Sequence, residues 1–521
     1  MISGMTEKLL QLYRISPAFP AFVCFALGAM CRGGWGTGLF AVTAAAAVII
    51  CRQCPLLLLC GSLFFAGGYL RFRLSENSFS LRLPRAADRA VLVVESVPIW
   101  GEELQELGGA RGRVTASVAA CGTSGMRGQL VLLDGERECR EHLMKLLPGD
   151  VLEADVVWDD LPPSDDPQNG FYRDVLRSKG IDRLCRVNGF SCQVQRGDLR
   201  SRFMRSVHKL RRHLARRMIS GVENPECAGM LLALGVGMGE YMPRERMERM
   251  VASGTVHVFA ISGMHVGMTA LLVTMTMCLA LVPIHVRWGA SLAAVCAYVV
   301  LTGASVSALR SLLMVAVARY SSYRFRMTSW LNALGISGLI SLLIQPRHIL
   351  SLGFVYSYAV VAALLLSAPL LQEYGELMTE RMRWLPGRAK RQWHRYIFSR
   401  AVLALLASCV AWLSGLGVSL ARGTPICLVS PIVNVPLSFV TFVTLAGCQL
   451  KLLLSCLAGG LDWLWGGMLS AMMEVMLALA ECGSFSGTLI YCGEVPQWAT
   501  AGYNVLFGLW LLSLWGRKNN P

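Results

Sequence analysis

The sequence predicts a mainly α polytopic membrane protein, a helical bundle, with a small all-β extracytoplasmic domain inserted in its first third. Three observations predict this. Of 521 residues, 54% are hydrophobic and 16% charged, whereas ordinary soluble domains carry about a quarter charged residues. The mean hydropathy is +0.49, and long apolar runs recur towards both ends. Between residues 82 and 198 the chain turns polar, and its apolar residues alternate.

Residues 1–75 hold apolar runs at 17–31, 37–50 and 55–70. Lys8 and Arg14 predict a cytoplasmic N-terminus, and Arg52 marks the turn between the second and third runs. No small-residue cleavage site follows the first run, so it reads as an anchor. Three crossings deliver residue 71 to the outside. Arg71 and Arg73 then run against the positive-inside rule, which a following translocated domain weakens.

Residues 82–198 contain Ala90-Val-Leu-Val-Val-Glu-Ser-Val, Gly112-Arg-Val-Thr-Ala-Ser-Val, Gln129-Leu-Val-Leu-Leu and Val151-Leu-Glu-Ala-Asp-Val-Val-Trp, separated by glycine-rich or Pro-Gly-Asp turns. Period and turn chemistry predict a small barrel, of which a five-stranded OB-like barrel is one form. The 18 cysteines show no metal-type spacing, and Cys51-x-x-Cys54 has no second pair. Cys121, Cys139, Cys185 and Cys192 lie in the polar region and can pair only if it is extracytoplasmic.

Residues 199–220 predict a basic amphipathic helix. Leu199, Phe203, Val207, Leu210, Leu214 and Met218 share one face; Arg202, Arg205, Lys209, Arg212 and Arg216 share the other. Such a helix lies in the bilayer interface, or its arginines line a nucleic-acid path. The net charge of +16 fits cytoplasmic loops that set topology, and equally attraction for a polyanion.

Residues 226–516 predict the membrane bundle, with spans at 250–282, 286–302, 304–320, 327–345, 349–371, 399–421, 424–447, 451–480 and 499–515. The run 226–239 is too short to cross, which predicts a re-entrant segment. Seven arginines and lysines in 381–400 predict a cytoplasmic loop. Counting crossings from it puts the C-terminus inside and residues 244–249 outside, in agreement with an outward β domain.

The segment Gly254-Thr-Val-His-Val-Phe-Ala-Ile-Ser-Gly-Met-His-Val-Gly267 places two histidines and a serine within an apolar span. Ionisable groups there face a bundle interior or a water-filled path. Taken as helical over 257–270, His257, Ser262, His265 and Thr269 span one arc, and Ala260, Gly263, Gly267 and Ala270 form an opposite small-residue arc for a neighbouring helix. Ser262-Gly263 also predicts a local unwinding. Arg310 stands too deep in its span to snorkel, and is expected to meet either a transported anion or one of the few intramembrane acids, Asp462 or Glu474. Ser357 and Asn434 are further polar marks, and Pro431 and Pro436 predict a broken helix around Asn434.

In this order these motifs resemble the ComEC competence family. Thr255 to Val266 looks like the family's H-x-x-A-I-S-G-x-H core. Leu309-Arg-Ser-Leu-Leu-Met is similar to its R-A-x-x-M span, Gly353-Phe-Val-Tyr-Ser-Tyr to G-F-x-L-S-F, and Val433-Asn-Val-Pro to its N-x-P segment. Asn169-Gly-Phe-Tyr-Arg-Asp-Val-Leu-Arg-Ser-Lys-Gly-Ile is similar to the pattern closing the family's OB domain, without its N-P-G proline. Met238 stands where the family often has an acid after the glycine.

The resemblance implies a bacterial inner-membrane channel conducting single-stranded DNA during natural transformation, with a periplasmic β domain and cytoplasmic termini. Its path residues would be His257, Ser262, Gly263, His265, Arg310, Ser357 and Asn434. It implies a periplasmic DNA receptor and a cytosolic helicase-like ATPase as partners, since the sequence contains no G-x-x-x-x-G-K-[ST] loop. It contains no H-x-H-x-D-H either, so the strand-degrading nuclease is expected to be a separate protein.

No catalytic residue, cofactor or metal site is expected. Eight residues put His257 and His265 about 12 Å apart along a helix, too far to share one ion. Two other functions use the same residues: an intramembrane metal-dependent or serine hydrolase built on Ser262, His257 and His265, and a transporter of a smaller anion with Arg310 as counter-ion.

Overall fold

The computed structural model describes residues 16–32, 55–77, 88–96, 114–121, 130–135, 143, 146–161, 167–193, 199–323, 329–383, 389–421, 423–454, 462–483, 489–490 and 495–515. The expected second run, 37–50, and the last residues, 516–521, lie outside them.

Helices α1 (Ala18–Arg32) and α2 (Pro55–Asn77) pack as a pair. Glycine makes this contact close: a methyl on Gly28 would strike the Phe65 carbonyl, and one on Gly68 the Phe25 carbonyl. The end of α2 meets the end of α10 (Trp330–Ile344) in a reciprocal clasp. Arg71 donates to the carbonyls of Leu343 (3.0 Å) and Ile344 (3.2 Å). Arg347 donates back to the Ser75 hydroxyl (3.0 Å) and carbonyl (2.8 Å). Each arginine satisfies carbonyls that a helix C-terminus leaves unpaired. Arg71 thus has a structural use that its conflict with charge-based topology did not suggest.

Strands β1 (Asp88–Ser96), β2 (Val114–Cys121), β3 (Leu130–Gly135), β4 (Val151–Asp160) and β5 (Ile181–Gln193) close a barrel in the order β1-β2-β3-β5-β4. The β3–β5 pair is parallel and the other pairs antiparallel. This is a five-stranded, OB-like arrangement. Alternation fills it: Leu92, Val94, Ala116, Val118, Val131, Leu133, Leu152 and Val156 are buried. The stretch after Asn169 forms helix α3 (Pro167–Ser178) and then β5, the strand that simple alternation had not marked. Cys185 is buried in the barrel core, opposite Trp158 in the β4–β5 ladder. The side chains of Cys121, Cys139 and Cys192 lie outside the described set.

Helix α4 (Leu199–Ile219) forms as its period predicts. Leu199, Phe203 and Leu210 are exposed, as an interfacial apolar stripe must be. Arg205 differs from its expected place on an open basic face. It donates to the Pro148 carbonyl (2.7 Å) and to Asp150 (2.8 Å), in the turn that leads into β4. Arg212 is also half-buried, whereas Arg202, Lys209 and Arg216 are exposed. At the far end of α4, Lys451 donates to the carbonyls of Met218 (2.9 Å) and Ser220 (2.6 Å). One helix therefore joins the barrel to the bundle.

The bundle comprises α5 (Pro225–Val236), α6 (Arg244–Ala252), α7 (Gly263–Leu279), α8 (Ile284–Leu301), α9 (Val306–Tyr323), α10, α11 (Leu352–Arg383), α12 (Ala389–Ala421), α13 (Ser430–Leu454), α14 (Asp462–Cys482) and α15 (Gln497–Trp515). Six segments among the described residues are long and apolar enough to cross a membrane: Val256–Leu279, Ile284–Leu301, Leu352–Met378, Tyr396–Ala421, Ser430–Leu454 and Asp462–Cys482. The protein is a multi-pass membrane protein. Short β6 (Ile426–Cys427) and β7 (Leu489–Ile490) pair the segments that precede α13 and α15.

Helix α5 is 12 residues long and buried from Cys227 to Val236. Asn224 caps its start, and Gly237, at φ 73°, ends it in the left-handed conformation that glycine adopts freely. Helix α6 is clamped by ion pairs: Arg246 reaches Glu481 (2.5 Å) and Glu226 (3.0 Å), and Arg249 reaches Glu481 (3.0 Å).

Two expectations are corrected. Residues 257–270 are not one helix, because a 3-10 turn covers Val256–Val258 and α7 starts only at Gly263, with Ser262 as its N-cap. Serine prefers that capping position, and this outweighs the apolar period. Asn434 does not sit in a broken helix either. Pro431 falls in the first turn of α13, where no amide donor is needed, and the helix runs through Pro436. The break comes before Ser430.

Candidate functional site

Several helix ends meet inside the bundle. The C-terminus of α5 at Gly237 and that of α8 at Thr302 come together, so that a methyl on Gly237 would approach the Thr302 carbonyl to 3.0 Å. The N-termini of α7 and α9 join them. Ser305, which precedes α9, donates to the Ile261 carbonyl (3.4 Å) and accepts from the Ala308 amide (3.3 Å). Gly303 (φ 87°) and Ala304 (φ 49°) make the sharp turn between α8 and α9. Irregular backbone at membrane depth is tolerated where protein encloses it or where it lines a cavity.

Arg310 belongs to this level. It is 6% exposed. Its Nη1 lies 3.6 Å from the Met314 sulfur, its Cζ lies 5.9 Å from the Tyr358 ring centre, and its buried Nε has no partner. A methyl on Gly263 would lie 3.9 Å from Arg310 Nη2 and 3.2 Å from Ser311 Oγ. The amino end of α7 thus lies beside the guanidinium. No carboxylate pairs with Arg310 among the described residues, and the expected acids are used elsewhere or stand apart. Asp462 accepts from Ser220 (3.0 Å), beside the end of α4. An enclosed cation beside a helix N-terminus is a region of uncompensated positive potential. Ser307 and Ser357 continue it, with their hydroxyls 3.1 Å apart.

His265 is placed differently from the expectation. It is fully buried. Its Nε2 lies 3.1 Å from the Leu234 carbonyl, which can only accept, so Nε2 carries the hydrogen. Nδ1 then accepts from the Ser262 amide (3.2 Å) and faces the Ser262 hydroxyl (3.2 Å). Both nitrogens are occupied by protein. His265 ties the N-cap of α7 to the last turn of α5.

The Ser262–His265 contact is therefore a capping box and not a nucleophile–base pair with a carboxylate behind it. Among the described residues no three His, Cys, Asp or Glu side chains gather in a way that could hold a metal.

His257 and Asn434 form a second group. His257 Nδ1 donates to the Gly254 carbonyl (3.0 Å), and its ring is accessible although protein surrounds it closely. A methyl on Gly254 would come within 3.0 Å of Ser430 Oγ. Ser430 accepts from Asn434 Nδ2 (3.2 Å), and Asn434 Oδ1 is buried without a partner. The backbone from Gly254 to Gly263 links this group to Arg310. The small-residue arc also divides. Gly263 meets α9, whereas a methyl on Gly267 would find nothing within 4 Å.

Ser311, Tyr358 and the Leu234 carbonyl join the site without having been expected from sequence. Only Tyr358 left a signal there, as the aromatic four residues after Phe354 and next to Ser357.

A multi-pass bundle with a buried arginine among its helix breaks, joined through a basic helix to an OB-like barrel, defines the class of this membrane protein. A family model described as "Competence protein" matches residues 234–517. The chain belongs to that family. ComE operon protein 3 of Bacillus subtilis (strain 168) is 34% identical over 176 residues, which are 33% of this chain. The matched segment covers 22% of that relative's length. No solved structure matches the chain.

Proposed function

We propose that this protein is the inner-membrane channel that conducts single-stranded DNA into the cytoplasm during natural transformation. One observation carries the proposal: Arg310 is enclosed in the bundle with no carboxylate partner among the described residues and with the amino end of α7 beside it. Leaving such a charge unpaired is costly, and a passing phosphate compensates it. Ser262, Gly263, Ser311 and Ser357 supply neutral donors and a close-approach surface around it. His257 and Asn434 continue the path, and His265 holds its geometry. Contacts of this kind, several and individually weak, let a strand advance.

In this reading the termini are cytoplasmic and the barrel is periplasmic, where it receives the strand from a DNA receptor. A cytosolic helicase-like ATPase pulls, and Arg202, Lys209 and Arg216 of α4 lie at the lipid interface or along the strand. The test is complementation of a deletion strain. Arg310→Ala is expected to abolish transformation while the protein stays at its normal level in the membrane. Normal transformation by that variant would refute the channel. If DNA uptake is unaffected but transport of a small anion is lost, the function is anion transport.

A further inference from the structure

Tyr358 holds an unusual position beside Arg310. Its ring is 5% exposed. Phe354 packs against it with ring centres 4.4 Å apart and Phe22 with centres 5.0 Å apart, and its hydroxyl meets Ser337 Oγ at 3.3 Å. The ring is therefore immobilised on a three-helix support from α1, α10 and α11. Arg310 lies over it within the reach of a cation–π contact. No carboxylate among the described residues offers that guanidinium a stronger partner.

We propose that Arg310 and Tyr358 form a nucleotide-sized exchange site. In the resting protein the guanidinium occupies the aromatic ring. A phosphate arriving at the amino end of α7 draws the guanidinium away, because a charge-assisted hydrogen bond is stronger than the cation–π contact it replaces. The vacated ring then takes the adjacent nucleobase by stacking. One unit of strand is held at two points, phosphate on Arg310 and base on Tyr358, and the site resets when Arg310 returns to the ring. The pairing of a mobile cation with a fixed ring distinguishes a polynucleotide from inorganic phosphate or a lipid head group, neither of which brings a base. This inference rests on the DNA-channel reading and adds the base-binding half of the site.

The test compares purified full-length protein binding an oligo-dT strand and an abasic sugar-phosphate strand of equal length. Wild type is expected to prefer the oligo-dT, by about ten-fold if one base stacks. Tyr358→Leu should lose a measurable part of that preference and bind the abasic strand at least as tightly as wild type, because no ring competes for the guanidinium, and Tyr358→Phe, which keeps the ring, should retain the preference. Unchanged preference in Tyr358→Leu overturns the exchange site. A second measurement needs no variant: photocrosslinking wild type to a 5-iododeoxyuridine strand should label the peptide containing Tyr358, and a labelling map without it also overturns the proposal. Arg310→Gln separates the two claims. If it binds both strands as wild type does, the channel reading itself fails; if it weakens both while Tyr358→Leu changes nothing, only the exchange site fails.

Discussion

Replacing His265 by alanine is expected to loosen the meeting point of α5 and α7 without removing any group that touches DNA. The substitution leaves the buried Leu234 carbonyl without its donor at 3.1 Å and the Ser262 amide without its acceptor at 3.2 Å. An orphaned buried acceptor costs about 1–3 kcal/mol, and a lost cap about 1 kcal/mol. The imidazole's volume becomes a void worth about 1 kcal/mol more. The sum, about 3–5 kcal/mol, should appear as a large drop in the thermal unfolding midpoint of detergent-purified protein. Asparagine tests the assignment further. Its Oδ1 can stand in for Nδ1 towards Ser262, but the side chain is too short to reach Leu234, so about half of the loss should return. If His265→Ala unfolds like wild type yet no longer transports DNA, the positioning argument is wrong and the imidazole acts on the strand itself.

Other outcomes follow from the packing. Arg205→Ala strips Asp150, whose side chain is 8% exposed, of its cation; the barrel should become less stable by about 2–4 kcal/mol, and adding Asp150→Ala should cost less than the sum of the single changes. The same substitution should have opposite signs at two helical glycines. Gly229→Ala drives a methyl into the Tyr241 carbonyl and should prevent α5 from seating, whereas Gly267→Ala meets open space and should stabilise α7 by up to about 1 kcal/mol in thermal unfolding. His208 titrates below the ordinary histidine range because of burial first, then Arg211 and Arg212. The unfolded chain takes up a proton that the folded one refuses, so stability is lost as pH falls below about 6.5; His208→Gln should flatten that acid-side decline in the unfolding midpoint.

Local chemistry made much of this legible. Alternation marked four strands of the barrel, period marked α4, and Ser262-Gly263 marked the start of α7, because capping and turn preferences act over a few residues. Arg310 stood out by the cost of a charge in an apolar run. Partners remote in sequence were not legible. The tie that His265 makes to α5 was hidden because its acceptor, the Leu234 carbonyl, lies 31 residues away. Arg205 looked like a member of an open basic face because Asp150 lies 55 residues away. The two prolines near Asn434 looked like a break, because the pattern alone did not reveal that Pro431 opens its helix. Tyr358 closed a motif in the sequence, but its place under a guanidinium depends on Arg310, 48 residues away, and so was not legible.

The clasp between Arg71 and Arg347 bears on how the chain is built. Its two halves are synthesised 272 residues apart, so the end of α2 is not sealed when that helix inserts. Biogenesis must hold α2 with its terminal carbonyl unsealed until translation has passed residue 347. Nascent chains halted before that point should be the ones that the cell's membrane proteases remove first.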